Sequence, residues 1–546
     1  MVVTKITKVF FLMLLVFISN NTFAATYNVT STSCTGPDSW ADAIDQANTN
    51  PGTDTIIFTP GLVVETNTCI TGLSTSDFFV RRVTESVIIE GNNAKLNGSI
   101  IWINVNGTIT ELSECPRDRP KTILVNITPG FIQVGTPGID NSAISVTIRN
   151  LHIFEFSRIT DIQNGASVTI EGSKFERIID GWRGCKTPAI YAGPNANLSI
   201  RNSEFDTIIN SGDIFAGLVF NGAITGYLAN DLDIDNTDFH KVWSAGTVVW
   251  NGKSGSEANI VNSRFIDSLG IVAAGEVTTN FTNSAYSNAY VTAREDDKFI
   301  NLSNQPMNIT SSSLMFPSAE CNQNCQLNGN HGRFVAFHGL INFIESAVGV
   351  IFHQTTVGKL LDDAGGGFTA DTYTWIQPVA LQSASTLRSI TNQAALRTDP
   401  AGLLGIKAFG LAHLAELVRP DIGTPSVGSV LIDIIPDAEF GGVNALVNPI
   451  DNSYIFTDAF GSFRVNTNNR RTIGAVEPDL SAYLNISGTG DQHVNLSWST
   501  PHHPPSVNPI TGYDICYGTG IAPDPGAIGT SCPGTLKTLS TPVLTI

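Results

Sequence analysis

Between residues 146 and 290 one short pattern returns six times: VTIRNLHIF, VTIEGSKFERII, LSIRNSEFDTII, LDIDNTDFHKVW, ANIVNSRFIDSL and TNFTNSAYSNAY, starting at 146, 168, 198, 232, 258 and 279. Superimposed without gaps, these segments bring Ile148, Ile170, Ile200, Ile234, Ile260 and Phe281 to one position, and those residues are 22, 30, 34, 26 and 21 apart. A fixed residue type at unequal spacing describes a solenoid, whose core positions are constrained while the connections between coils vary. Each copy opens with apolar residues at alternate positions, which is the period of a strand with one buried face. A helical solenoid would need apolar residues every 3.6 positions, and these segments lack that period.

The positions after the central Ile fill in the coil. Two residues on come Asn150, Gly172, Asn202, Asn236, Asn262 and Asn283, residue types that tolerate the left-handed turn a coil corner needs and, as Asn, can hydrogen-bond from coil to coil. Three further on come Ile153, Phe175, Phe205, Phe239, Phe265 and Tyr286, a mostly aromatic interior stack. On the opposite face Arg149, Glu171, Arg201 and Asp235 alternate in sign, so neighbouring coils can pair charges. The pattern predicts an all-β chain, a right-handed parallel β-helix over 25–395. The stretches SVIIEGNNAKLNG at 86 and KTILVNITPG at 121 read as earlier coils.

The first 24 residues read as a secretory signal: Lys5 and Lys8, then the apolar run VFFLMLLVFI, then small residues ending at Ala24. The run is short for a membrane span and no later stretch is long and apolar enough to cross, so the exported chain is expected to be free of a transmembrane segment. No cysteine sits at the cleavage point, which argues against a lipoprotein, and a monomer is expected. The whole chain carries 30 basic and 48 acidic residues; without the two signal lysines the balance is 28 − 48 = −20. That charge weighs against nucleic acid, anionic lipid and other polyanions as partners. All eight cysteines follow the signal, as expected for disulfides in an exported protein, with Cys34–Cys69, Cys321–Cys325 and Cys516–Cys532 as candidate pairs. Neither they nor the nine histidines show metal-ligand spacing.

Resemblances mark the two ends. TYNVTSTSCTGPDSWADAIDQANTNPGTDTIIFTPGL, from Thr26, resembles the opening of bacterial β-helix surface proteins of the polymorphic-outer-membrane-protein type. It implies a short helix, N-capped by Asp38 or Ser39 and facing Trp40, Ile44 and Ala47 inward, that covers the open end of the solenoid. Within 396–477, Ser429 to Asp433, Asp458, Gly461, Arg464, Ile473-Gly474-Ala475 and Glu477 resemble the choice-of-anchor Q module, with Thr472 in place of the usual acidic residue. There the charged residues are expected to form buried ion pairs in a C-terminal cap. From Pro478 the chain resembles a partial fibronectin type III domain, with Trp498 as core tryptophan and Tyr513 on the next strand.

Asn236-Thr237-Asp238 matches a polygalacturonase motif, but the repeat already accounts for the Asn and the small hydroxyl residue. The other polygalacturonase motifs fail in order and content: Phe337-His338-Gly339 precedes Asp362-Asp363, and only Ile406-Lys407 stands for Arg-x-Lys. No cofactor is expected; calcium at Asp231, Asp233 and Asp235, which alternate on one strand face, is the one option. The insertions at 180–197, 210–231 and 243–257 should gather on one side of the stacked coils and carry Trp182, Arg183, Tyr191, Tyr227, Trp243 and Trp250. Aromatics on such a face suit a sugar ring or a protein partner. The sequence therefore points to non-enzymatic adhesion or surface interaction, with a polysaccharide lyase or glycoside hydrolase acting on acidic polysaccharide as the alternative and a structural stalk as the third reading.

Overall fold

A computed structural model describes residues 24–66, 79–98, 130–179, 188–209, 222–243, 246–287, 299–317, 334–351, 361–363, 365–370, 374–376, 446–455, 457–460, 464 and 474–475, with further isolated strands between 102 and 539. The repeat closes into a parallel β-helix with three faces. One coil gives the plan: Ile190–Ala192 lies in sheet I, Asn197–Arg201 in sheet II and Glu204–Ile209 in sheet III. Each strand pairs in parallel with its equivalent one coil away, which sets Ile200 level with Ile170 and Ile234, and Phe205 level with Phe175 and Phe239. Sheet I stacks ten strands, from Phe79–Val83 to Leu361–Asp363. The long strands Val87–Asn97 and Ser145–Phe154 run through sheets II and III together.

The register reproduces the superposition read from the sequence, from Ile148 to Phe281. It then continues through Ile309 and Phe343, beyond the sixth copy. The stretch at 121 is different: Val125–Asn126 pairs antiparallel with Trp102–Ile103, and the parallel coil resumes only at Gly130–Val134. The signal segment lies outside the described residues.

Three columns hold the coils together. Asn150, Gly172, Asn202, Asn236, Asn262 and Asn283 all turn the corner from sheet II to sheet III at φ of 46–57°. Asn236 donates to Asn202 Oδ1 (2.8 Å) and Asn283 to Asn262 Oδ1 (2.7 Å), while Asn262 turns to Asp235 (2.9 Å). In later coils Ser311 and Glu345 hold the same left-handed corner, so the conformation outlasts the residue type. Next comes a buried hydroxyl column. Ser263 Oγ donates to the Val261 carbonyl (2.7 Å) and accepts from the Thr237 N–H one coil earlier (3.2 Å), and Ser284 and Ser312 repeat the arrangement. Inside, Phe175, Phe205, Phe239 and Phe265 stack with centroids 4.8, 5.0 and 4.6 Å apart and ring planes within 23°.

Outside, Arg149 and Glu171 form the expected coil-to-coil pair at 3.1 Å. Two residues past the aromatic column, Glu155, Arg177, Thr207, Lys241 and Asp267 bend sheet III through a second left-handed column, which residue type did not signal.

The N-terminal end is closed by helix α1 (Trp40–Ala47), which Ser39 caps by accepting from the Asp42 N–H at 3.2 Å. Trp40, Ile44 and Ala47 are buried as expected, and Trp40 stacks on Phe131 at 5.1 Å. Asn48 pins the end of the helix to the first strand of sheet I through Arg82 O and Thr84 N (both 2.7 Å). Cys34 is buried beneath α1 and accepts from Trp40 Nε1 at 3.0 Å. Its candidate partner Cys69 lies outside the described residues, as do Cys321, Cys325 and Cys532; Cys516 lies on the strand Tyr513–Tyr517, whose side chains are not described.

The described part of 446–475 lies along the flank of the solenoid. Leu446 and Ile455 pack on Val261, and Ala459 and Ala475 on Ala285. Buried Arg464 donates to Asn283 Oδ1 and to the Gly474 carbonyl, and Ala475 N donates to Ser313 Oγ (2.9 Å). Asp458 is buried as well and accepts from its own turn at Phe460 N (2.9 Å). Past 478 the pairing turns antiparallel, Leu484–Gly490 with His493–Trp498 and Tyr513–Tyr517 with Thr535–Leu539. Among the described residues no helix is long and apolar enough to cross a membrane.

Candidate functional site on the outer face of sheet I

The variable connections all join sheet III to sheet I. Trp182 and Arg183, in the connection after Ile179, lie outside the described residues. Tyr191, Tyr227 and Trp250 lie not on loops but on the sheet I strands that follow. Trp243 ends the strand Asp238–Trp243, and its side chain is not described.

Trp250 corrects the expectation of an exposed aromatic. It is 1% exposed, points into the solenoid over Gly226, and donates from Nε1 to the Asn230 carbonyl at 3.0 Å. A Cβ at Gly226 would come within 2.6 Å of the Trp250 ring, so glycine on one coil makes room for tryptophan on the next.

Tyr191 and Tyr227 face outward. The outward column of sheet I begins Arg82, Gln133, Asp161, Tyr191, Thr225, then turns apolar at Val249, Val272, Ile300 and Val335. The apolar half is buried, with half-exposed Leu302 and Phe337 packed against it. The polar half forms an ordered chain. Arg82 Nε donates to Gln133 Oε1 at 2.7 Å, which fixes the amide so that Gln133 Nε2 donates to Asp161 Oδ2 at 3.3 Å. Asp161 Oδ1 is buried, and the Gln163 side chain is the second hydrogen-bonding neighbour of this carboxylate.

Burial raises the Asp161 carboxyl above its ordinary value, against the Gln133 hydrogen bond, the Arg158 charge and the Gln163 hydrogen bond, which pull it down. Burial likewise raises the Tyr191 phenol, and the charges of Asp161 and Tyr227 add to the shift. The three side chains thus form one electrostatic group.

Tyr227 is shown to solvent by a break in the strand. The pairing with the next coil slips between Tyr227 and Ala229, and Leu228 adopts φ of 50°. A bulky residue in the left-handed region is strained by about 1 kcal/mol or more. The bulge leaves Tyr227 48% and Leu228 45% exposed, beside half-buried Tyr191. Bulges of this kind re-aim side chains and gather at functional sites.

The acidic strand of the central coil is engaged elsewhere. Asp238 is held by Nε and Nη2 of Arg264, one coil on, so the carboxylate of Asn236-Thr237-Asp238 is half of an ion pair within sheet III. His240 bridges Asp206 (3.2 Å) and Asp267 (3.9 Å) on the same face. On sheet II, Asp231 accepts from Glu257 N, Asp233 from Asn259 (3.1 Å) and Asp235 from Asn262 (2.9 Å). Among the described residues no group of three or more His, Cys, Asp or Glu is placed to hold a metal ion.

No protein-family profile matches the chain, and no curated protein matches it.

Proposed function

We propose that this protein is exported and binds a glycan or a protein partner, without catalysis, through the polar half of the outer face of sheet I. The observation that carries the reading is the bulge at Tyr227–Leu228. A strained backbone that exposes two large side chains costs stability, and a continuous strand would have turned one of these two neighbours into the core. A line of aromatic and hydrogen-bonding side chains beside it supplies the contacts that surface recognition uses. The polymorphic-outer-membrane-protein, choice-of-anchor Q and fibronectin type III resemblances rest on short motifs and agree with this reading, as does the signal-like N-terminus.

The test is retention of the purified protein on a panel of neutral and acidic polysaccharides, with and without calcium, while new chain ends are counted. Retention without new ends, weakened by Tyr227→Ala, is the expected result. New chain ends, or retention untouched by Tyr227→Ala, overturns it.

A further inference from the structure

Resting on the export part of that reading, we propose that removal of the leader is also the step that closes the first coil. Hydrolysis between Ala24 and Ala25 leaves an α-ammonium on Ala25, and that ammonium forms a buried ion pair with Asp54. The sequence sets the position of the cut. Thr22 and Ala24 place small residues three and one before this bond, whereas a cut one residue later would place Phe23 at the outer position. Ala24 is exposed and Ala25 half-buried, so the bond lies where the chain enters the fold. A leader-removing protease adds water across it: Ala24 leaves as a carboxylate, and Ala25 keeps the nitrogen as an ammonium.

The receiving carboxylate lacks a countercharge. Asp54 is fully buried, and its Oδ1 accepts from Ala25 N at 2.7 Å and from Asn50 Nδ2 at 2.8 Å. Its Oδ2 is buried with no hydrogen bond, and among the described residues no lysine, arginine or histidine pairs with it. A buried carboxylate held only by neutral donors is costly. The countercharge needs no path to it, because the Ala25 nitrogen already stands at hydrogen-bond distance. In the unprocessed chain that nitrogen is an amide with one N–H; after the cut it carries a full charge and two further donors.

Three parts of the N-terminal cap meet at Asp54. Thr55 N donates to the Ala25 carbonyl (2.8 Å) where the first two strands pair, and Asn50 belongs to the turn that follows α1. Asp54 N donates to the Ser86 carbonyl (3.1 Å) at the start of the next coil. An ion pair there ties the first residue of the processed chain to the helix and to two coils, and the precursor lacks it.

The chain would be expressed in a bacterium with its own leader, recovered from outside the cytoplasm and sequenced from its N-terminus, with Ala25 the expected first residue. Amide exchange at Asp54 and Thr55 would then be compared between this chain and the same chain acetylated at the Ala25 nitrogen. Acetylation keeps one N–H for the Asp54 bond and removes the charge, so a bond of purely structural value would not respond to it. Exchange should be roughly tenfold faster in the acetylated chain, the difference between a charged and a neutral hydrogen bond. Protection over 198–287 should not change, and in Asp54→Asn acetylation should have little effect. The acetylated and free chains differ by no substitution, so their comparison stands even where Asp54→Asn loosens the first coil. Equal exchange in the two chains, or the same increase in Asp54→Asn, overturns the ion pair and leaves export and binding standing. An exported chain that starts elsewhere overturns the cut. A chain retained in the cytoplasm at full length overturns export itself, and the pair with it.

Discussion

Burial costs Asp161 stability, and the cost has a pH signature. Its folded carboxyl titrates above the ordinary value of 3.8, so between the two values the folded chain holds a proton that the unfolded chain has lost. Stability from this group is therefore greatest below the ordinary value, falls as pH rises towards the folded value, and stays reduced above it. Asp161→Asn removes the charge at nearly constant shape. It should raise the melting temperature at pH 7, by about 2–4 °C for each ~1 kcal/mol recovered, and the gain should vanish as pH falls towards 4. A gain that is the same at every pH would show that the carboxylate is not strained by burial. The sequence did not single out Asp161: Thr160–Ile162 is a three-residue strand outside the repeat, and its neighbours Gln133 and Tyr191 are brought level with it only by the coil register. Trp250 was misplaced for the same reason, since Gly226 is what makes room for it, 24 residues away (250 − 226).

Within one coil, the legible and the illegible divide by range. The alternation around Ile200, the Asn202 corner and the Phe205 stack all fall within eight residues, Leu198 to Phe205, and the sequence showed each of them. The flank contacts of Arg464 with Asn283 and of Ala475 with Ser313 span 181 and 162 residues, and no local pattern announces them. The stack also states what a coil contributes. Phe239 sits between rings at 5.0 and 4.6 Å with almost no exposure, so Phe239→Ala should cost about 3–5 kcal/mol. Because each coil touches chiefly its neighbours, the loss should be local. Amide exchange should rise over 198–287 well before it rises over 24–66. Uniform loss of protection would mean that the solenoid unfolds as a single unit, contrary to the nearest-neighbour picture.

A solenoid has two ends, and each is a row of unpaired strand edges that invites another chain. At the N-terminal end the edge is covered by α1, and the cover depends on one side chain more than any other. Trp40 is 1% exposed, stacks on Phe131 inside the first coils and donates its indole N–H to Cys34. Further ties are the small apolar face of Ala43, Ile44 and Ala47, the two Asn48 hydrogen bonds to the edge of sheet I and the Asp45–Arg81 ion pair at 3.4 Å. A helix of eight residues is too short to hold its shape alone in water, so it persists only by packing. Trp40→Ala should remove about 3–5 kcal/mol from that packing. The middle coils, held by their own Phe, Ser and Asn columns, should remain folded. The uncovered strands Thr26–Val29 and Phe79–Val83 would then be free to pair with a second molecule. The variant should therefore keep its β-sheet circular dichroism yet form concentration-dependent dimers and larger species in sedimentation velocity, where the parent protein should not. A variant that stays monomeric at high concentration would show that the helix stabilises the first coils without guarding the edge.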